Sequence, residues 1–212
     1  AARRIGEGSE FVKAGHWVTW DPALLLGQDI YGATLGIIGF GRIGQAVARR
    51  AKGFGMRVLV SHAHCVSEEI LREAGVAQVS FNQVITESDF LSLHIPFTEN
   101  TQHLINRGVL KRMKSTAILI NTSRGKVVDQ RALYHALKER QIAYAGLDVT
   151  DPEPLSVQDP ILALPNCLVV PHIASASVST RTKMAIMAVE NLCAGLDGQP
   201  LPYCVNPEAS EL

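Results

Sequence analysis

Three side chains of complementary chemistry follow short apolar runs of the chain. Arg124 lies in "NTSRGKVVD", Glu153 in "DVTDPEP" and His172 in "PNCLVVPHIAS". The guanidinium fork of an arginine suits two-point binding of a carboxylate, although Arg124 taken alone is more simply explained as a surface cation. A glutamate beside a histidine favours the protonated imidazole and fixes its orientation, which suits a general acid. The alternative for Glu153 and His172 is a helix cap and a surface histidine.

A glycine motif offers a second kind of chemistry. The segment "LGIIGFGRIG" carries G-x-G-x-x-G directly after an apolar run and at the start of a helical pattern. In that context the first glycine permits a tight turn, the second lets a pyrophosphate approach, and the third packs helix on strand. An ordinary tight turn is the alternative, but the context favours a dinucleotide site. The cofactor contacts expected from the motif are Gly39, Gly41, Arg42, Ile43 and Gly44.

The next apolar run, "RVLVSHAH", lacks the acid that usually holds the ribose hydroxyls of NAD. Ser61, His62, Ala63 and His64 stand there instead. A carboxylate would repel a 2′-phosphate, whereas a hydroxyl or an imidazole can donate to it. We therefore expect Ser61, His62 and His64 to contact the cofactor. NADPH should be preferred and NAD possible, with the preference growing below about pH 6.5 as the histidines charge.

These residues need a scaffold that brings the ends of several strands together. Short apolar runs alternate with helical patterns, which predicts a parallel sheet covered on both faces, a doubly wound Rossmann-type α/β fold. Ligands of such sheets bind outside the carboxyl ends of the strands. The predicted strands are 35–39, 57–61, 90–96, 117–122, 144–149 and 167–172, and the predicted helices are 42–54, 68–74 after Ser67, 130–140 after Asp129, and about 175–195.

Two details of this prediction concern individual side chains. The helix 42–54 should bury Ile43, Val47 and Ala51 on one face. His94 should lie within a strand and be structural.

Composition narrows the functional class. The chain has 212 residues, a net charge of +0 and 47% hydrophobic residues, enough for one large or two small domains. Balanced charge argues against nucleic-acid binding, and the sequence contains neither a membrane-length apolar run nor a signal-like start. Three of the four cysteines lie in apolar surroundings, which predicts a reduced, cytoplasmic compartment. No cysteine pair is spaced C-x-x-C, which argues against a metal site or disulfide scaffold. The cysteines are Cys65, Cys167, Cys193 and Cys204.

The segments "GIIGFGRIG", "NTSRGKVVD", "AGLDVTDPEP" and "PHIAS", in this order, resemble the D-isomer-specific 2-hydroxyacid dehydrogenase family, closest to its glyoxylate/hydroxypyruvate reductase branch. The resemblance implies that Arg124 binds the carboxylate of a small 2-oxo acid and polarises its carbonyl. His172 would donate the proton, and Glu153 would hold His172 protonated and oriented. Further cofactor contacts implied by the resemblance are Pro96, Thr101, Thr122, Asp148, Ala174 and Ser175. Ala174 stands where the family commonly has glycine.

The resemblance also implies an organisation. Family members have two lobes, and the chain opens on "AARRI" without methionine. We expect this chain to be the cofactor lobe, with most of the N-terminal substrate lobe absent and low activity in isolation. Residues 1–175 would form the dinucleotide-binding domain with an N-terminal helix and a dimer arm near Phe11–Trp20. Residues 176–212 would form a helix and tail that return to the substrate lobe, and the protein would be a homodimer.

Two other functions stay open at this point. A phosphoglycerate or phosphite dehydrogenase of the same family would share the three catalytic residues. A non-catalytic corepressor-like protein that binds a dinucleotide would share them too. A neutral surface without an added interaction tail makes the corepressor the weaker alternative.

Overall fold

The computed structural model describes residues 1–208. Within that range seven parallel strands form one sheet in the order β3-β2-β1-β4-β5-β6-β7. The strands are β1 Thr34–Ile38, β2 Arg57–Ser61, β3 Ala77–Gln78, β4 Phe90–Leu93, β5 Ile118–Asn121, β6 Tyr144–Leu147 and β7 Cys167–Val169. This confirms the Rossmann-type doubly wound fold.

The strand order reverses at β1. This strand pairs with β2 on one side and with β4 on the other, both in parallel. The chain runs outward from β1 to β2 and β3 on one side and then crosses back from β3 to β4 on the other side of β1. At such a reversal a crevice opens between the carboxyl ends of β1 and β4. The register Ile38↔Leu93 places the glycine motif and the segment after β4 side by side at that crevice.

Seven helices accompany the sheet within the described residues. They are α1 Ile5–Lys13, α2 Arg42–Ala51, α3 Glu68–Ala74, α4 Phe81–Glu87, α5 Arg107–Leu110, α6 Gln130–Lys138 and α7 Val178–Leu196. Ser67 and Asp129 accept hydrogen bonds from Ile70 N and Ala132 N, as N-caps of α3 and α6. Both caps were predicted, because a Ser or Asp before an apolar periodic run satisfies the first amides of a helix.

The core lies on both faces of the sheet. Ile37 belongs to one buried cluster and its neighbour Ile38 to the other. Successive side chains of a strand point to opposite faces, so a strand with two apolar neighbours in two clusters must be covered on both sides. Because both faces of the sheet are covered, both sets of side chains on a strand must be apolar, which explains the uninterrupted apolar runs in the sequence.

One local prediction was wrong in part and another was wrong. Helix α2 buries Ala51 as predicted, together with Gly44 and Ala48, and Val47 is partly buried, whereas Ile43 is 68% exposed. The small residues face the sheet because helix and strand approach closely there. Strand β4 ends at Leu93, because its partner β1 ends at Ile38, so His94 lies beyond the strand.

The chain divides into two compact units. The first, Ala1–Pro171, contains the sheet and α1–α6. The second begins at His172 and contains α7, whose residues are all described and none of which is buried. Among residues 1–208, no helix is both long and apolar enough to cross a membrane.

Candidate functional site

The backbone around the motif requires glycine at two of its three glycine positions. Gly39 has φ +93°, and a Cβ there would lie 2.5 Å from the carbonyl oxygen of His94. A Cβ at Gly44 would lie 2.3 Å from the carbonyl oxygen of Gly39, so this glycine permits the close packing of α2. A Cβ at Gly41 would meet no described atom within 4 Å. Protein packing does not explain Gly41, and its missing side chain leaves room for a ligand.

Helix α2 begins at this open position. Gly41 is its N-cap, and the Gln45 amide donates the first helical hydrogen bond, to Gly41 O at 3.0 Å. The amides of residues 42–44 therefore point out of the helix end, where the helix dipole is positive. The first turn carries no acidic residue. A pyrophosphate fits this end of the helix in charge and in hydrogen bonding.

The segment after β2 is held against the glycine loop. Gly39 N donates to Ser61 O at 2.8 Å, and Phe40 N donates to Nδ1 of His62 at 3.2 Å. Gln78 fixes the following residues, since its Nε2 donates to His64 O at 2.9 Å. Ser61, the last residue of β2, and the following His62 and His64 are thus held close to the glycine motif by backbone and side-chain hydrogen bonds.

A cleft of about 890 Å³ opens at the carboxyl edge of the sheet. Five of the predicted site residues line it, namely Ile43, Pro96, Thr122, Arg124 and Glu153. Most of the other lining residues also follow the predicted strands, and only Phe97 and Lys126 lie outside those strand-end segments. The others are His94, Ile95, Ser123, Gly125, Thr150, Asp151 and Pro152. The cleft brings the arginine and the glutamate of the predicted catalytic group together with the first turn of α2.

The loop that carries Arg124 is fixed by a buried amide. Asn121, 1% exposed, donates from Nδ2 to Arg124 O at 2.9 Å. Its Oδ1 accepts from Ser123 N at 3.0 Å and from Ser123 Oγ at 2.9 Å. Asn121 was not among the predicted site residues, although an asparagine at a strand end is a common turn former.

The loop that carries Glu153 packs directly on the loop of Arg124. A Cβ at Gly125 would overlap the carbonyl oxygen of Thr150, at 1.8 Å. Thr150 in turn donates from Oγ1 to Pro152 O at 2.8 Å. Only a glycine at 125 allows the two backbones to approach this closely, so the loops of Arg124 and Glu153 form one packed unit.

His94 has a different position from the one predicted. It follows β4, lines the cleft, and its Nε2 lies 2.8 Å from Oγ of Ser92. Burial lowers the pKa of His94, because the charged ring would lose hydration. His94 is therefore a neutral polar group on the wall of the cleft at neutral pH.

Cations and carboxylates share the cleft. Arg124 and Lys126 lie on one loop, and Asp151 and Glu153 lie on the other. Nζ of Lys126 lies over the ring of Phe97, 5.6 Å from its centroid, in a cation–π contact between two residues that line the cleft. An anionic substrate would find positive partners here, with carboxylates available for proton chemistry.

The remaining predicted residues have varied positions. Thr101 uses its hydroxyl within its own loop, donating to Pro96 O at 2.9 Å and accepting from Thr98 N at 2.7 Å. Asp148 follows β6 and is buried. His172, Ala174 and Ser175 belong to the second unit, where the carbonyl oxygen of His172 accepts from Arg181 at 3.4 Å. Among residues 1–208 no group of three His, Cys, Asp or Glu side chains could hold a metal ion.

Comparison with known proteins identifies the relatives of this arrangement. Residues 1–174 match the NAD binding domain of D-isomer specific 2-hydroxyacid dehydrogenases. A glyoxylate reductase from Korarchaeum cryptofilum (strain OPF8) is 55% identical over 209 residues, which are 98% of this chain and 63% of that protein.

Two solved structures have the same architecture. A protein from Thermus thermophilus has a TM-score of 0.89 at 48% identity, covering 95% of this chain and 62% of its own. A glyoxylate reductase from Paecilomyes thermophila has a TM-score of 0.83 at 33% identity, covering 94% of this chain and 60% of its own.

The chain spans 63% of the length of the Korarchaeum relative, and the region matched by the family is its dinucleotide-binding part. The resemblance noted from the sequence motifs is confirmed, including the glyoxylate reductase branch. The chain belongs to the D-isomer specific 2-hydroxyacid dehydrogenase family.

Proposed function

We propose that the protein reduces a small 2-oxo acid, glyoxylate or hydroxypyruvate, to the D-2-hydroxy acid with NADPH or NADH. One observation carries this proposal: Arg124 and Glu153 line one cleft together with Ile43 of the helix that begins at the open Gly41. A reduced nicotinamide dinucleotide supplies the hydride when bound. Glyoxylate, the dinucleotide and one proton then give glycolate and the oxidised dinucleotide.

Arg124 is the proposed substrate-binding cation. Its guanidinium would bind the carboxylate and polarise the neighbouring carbonyl, because the planar fork donates two parallel hydrogen bonds. Asn121 supports this role by holding the Arg124 backbone. Lysine could supply the charge but not the fork.

His172 and Glu153 are the proposed proton-transfer pair. His172 would donate a proton to the carbonyl oxygen as the hydride arrives at carbon. Glu153 would orient the imidazole and stabilise its protonated form. This assignment rests on the family resemblance of "DVTDPEP" and "PHIAS" and on the position of Glu153 in the cleft.

The cofactor contacts are proposed from the loops beside the cleft. The open side of Gly41 and the amides of residues 42–44 would hold the pyrophosphate. Ser61, His62 and His64 would accommodate a 2′-phosphate, which supports NADPH as the preferred cofactor. Pro96, Thr122 and Asp148 would line the nicotinamide side, and the family resemblance implies Ala174 and Ser175 as further cofactor contacts. Thr101 would act by shaping the loop after Pro96.

We further propose a cytoplasmic homodimer. The segment after α1 exposes Trp17 at 60%, Val18 at 91% and Trp20 at 77%. Beside α1 lies a largely apolar groove of about 590 Å³ that Phe11 and Leu168 help to line. Large exposed aromatics beside an apolar groove are typical of protein interfaces. Sedimentation of the protein as a monomer at micromolar concentration would contradict this part of the proposal.

Steady-state kinetics of the intact protein test the function. Glyoxylate and hydroxypyruvate should be reduced, with the higher kcat/KM for NADPH, and hydroxypyruvate should yield D-glycerate. Oxidation of 3-phosphoglycerate or phosphite should be slower. Dinucleotide binding without turnover of any 2-oxo acid would overturn the proposal and favour a non-catalytic binding protein.

A further inference from the structure

Gln130, the first residue of α6, bridges two segments near the cleft. Its Oε1 accepts a hydrogen bond from Asp151 N at 3.1 Å, and its Nε2 donates to Oδ2 of Asp159 at 3.1 Å. All three residues are partly buried. One amide therefore acts as acceptor and donor at once, which fixes its orientation.

The second partner of Gln130 is itself held. Oδ1 of Asp159 accepts from Ile161 N at 2.9 Å and caps the short 3-10 helix Pro160–Ala163, whose Ile161 is fully buried. Asp159 is thus anchored to the core through its own cap. Gln130 binds this fixed carboxylate with one end of its amide and the backbone N–H of Asp151 with the other. It therefore restrains the backbone two residues before Glu153.

The bridge acts beside a second restraint on the same loop. Gly125 packs against Thr150, and Gln130 binds Asp151, so consecutive residues of the Glu153 loop are fixed by the segment that follows Arg124. Arg124 and Gln130 are separated by one short 3-10 helix, Gly125–Val127, and the α6 cap Asp129. A displacement of the Glu153 loop relative to Arg124 would therefore require this hydrogen bond to break.

We propose that Gln130 is a positioning residue, which sets the distance of Glu153 from Arg124 by clamping Asp151 to Asp159. This inference rests on the proposed function for its consequences in turnover. Gln130 does not line the cleft, so it acts through the loop and not on substrate. Misplacement of reacting groups by about 1 Å can cost roughly 100-fold in rate.

Reversing the direction of the hydrogen bond between Gln130 and Asp159 tests the proposed clamp. Gln130→Glu keeps the acceptor for Asp151 N but places a carboxylate against Asp159. The kcat should fall roughly 10- to 100-fold, while the KM for the dinucleotide stays unchanged because the glycine loop is not touched. Adding Asp159→Asn should restore activity, since the new amide can donate to the new carboxylate and still cap Ile161.

The control is Gln158→Glu, the same substitution at an exposed position beside Asp159, which should behave as wild type. The basic side of the pH profile of kcat/KM should move to lower pH in Gln130→Glu, because a displaced Glu153 would stabilise the charged proton donor less. A merely destabilising substitution would leave the pH profile in place. Equal kinetics for Gln130→Glu and Gln158→Glu, or no rescue by Asp159→Asn, would overturn the clamp.

Amide hydrogen exchange separates this inference from the proposed function. The Asp151 amide should exchange faster in Gln130→Glu than in wild type, because repulsion from the Asp159 carboxylate moves the new carboxylate away from Asp151 N, and protection should return in the double variant. This readout needs no turnover, so a wild-type protein that reduces no 2-oxo acid would refute the proposed function alone. Unchanged protection of Asp151 would refute the clamp in either case.

Discussion

The backbone amide of Phe40 donates a hydrogen bond to Nδ1 of His62 across 3.2 Å. This contact joins the glycine loop after β1 to the end of β2. Because Nδ1 accepts, the neutral ring carries its hydrogen on Nε2. His62 thus holds the loop with one nitrogen and can offer a donor with the other, at the position where an NAD-type site has a carboxylate.

The first prediction concerns His62→Asp. A carboxylate there would repel the 2′-phosphate of NADPH and could accept hydrogen bonds from the ribose hydroxyls of NADH. We expect the ratio of kcat/KM for NADPH to that for NADH to fall by about tenfold or more, equivalent to about 1.4 kcal/mol. Steady-state kinetics with both cofactors measure this ratio.

The control for that prediction is His135→Asp, which makes the same charge change at an exposed position on α6. The ratio should not change in this variant. An unchanged ratio in His62→Asp would remove His62 from cofactor selection. A second proton on the His62 ring would end the Phe40 contact, because Nδ1 could then no longer accept a hydrogen bond.

The sequence was sufficient to predict features that depend on local chemistry. β2 begins and ends at the predicted residues, Arg57 and Ser61, because an apolar run flanked by polar residues has clear limits. The caps Ser67 and Asp129 were also predicted, since capping depends on residues three positions apart. The glycine motif could be recognised because it lies directly between a predicted strand and a predicted helix.

Features that depend on a partner in space were missed. β4 stops at Leu93 although its apolar run continues to Pro96, because the neighbouring β1 has already turned away at Gly39. β3 has two residues and α5 has four, too few for any periodic pattern.

Two features of the site, the position of His94 and the role of Gln130, were missed for the same reason. His94 reaches the cleft only because β4 ends early, and Gln130 meets Asp159 across 29 positions of sequence. No pattern of residue spacing in the sequence predicts the hydrogen bond between Gln130 and Asp159.

The second prediction concerns Arg124→Lys. The ammonium keeps the positive charge but cannot form two parallel hydrogen bonds to a carboxylate. We expect kcat/KM for glyoxylate to fall by about 10- to 100-fold, equivalent to about 1.4–2.8 kcal/mol of lost transition-state stabilisation. The Kd for the dinucleotide should stay unchanged. Arg131→Lys, at an exposed position on α6, is the control. Wild-type kcat/KM in Arg124→Lys would exclude a forked contact with substrate.

The third prediction is a pH dependence of stability that arises at Asp89. Burial alone would raise the pKa of Asp89, but hydrogen bonds from Lys114 at 2.7 Å and from Thr34 N at 2.8 Å outweigh it and lower the pKa. The folded state therefore binds the Asp89 proton less readily than the unfolded chain. The resulting stabilisation is present above the unfolded-state pKa of about 3.9 and is lost as pH falls through the lower folded-state value.

Substitution of this carboxylate should remove that dependence. Asp89→Asn should lower the free energy of unfolding by about 1 kcal/mol near pH 7, since the pair is partly exposed and screened. The deficit relative to wild type should shrink below about pH 4. Glu10→Gln is the matched control, because Glu10 and Lys13 are also 2.7 Å apart but their side chains are 74% and 68% exposed. Denaturant titrations give the free energy of unfolding at each pH. A difference between wild type and Asp89→Asn that stays the same at every pH would contradict the assignment to Asp89.

The fourth prediction tests whether the loops of Arg124 and Glu153 must be packed together. In Gly125→Ala the new methyl group would overlap the carbonyl oxygen of Thr150, so one loop must move away from the other. We expect kcat to fall roughly 100-fold, the cost of displacing catalytic groups by about 1 Å, with little change in dinucleotide affinity.

The control for this last prediction is Gly53→Ala. A Cβ there would meet no described atom within 4 Å, and the backbone needs no positive φ, so the same substitution should leave kcat unchanged. A Gly125→Ala protein that unfolds would be recognised by loss of dinucleotide binding, whereas the proposed displacement preserves binding and removes turnover. Wild-type kcat in Gly125→Ala would mean that the two loops can separate without consequence, and that Arg124 and Glu153 do not act on the same substrate.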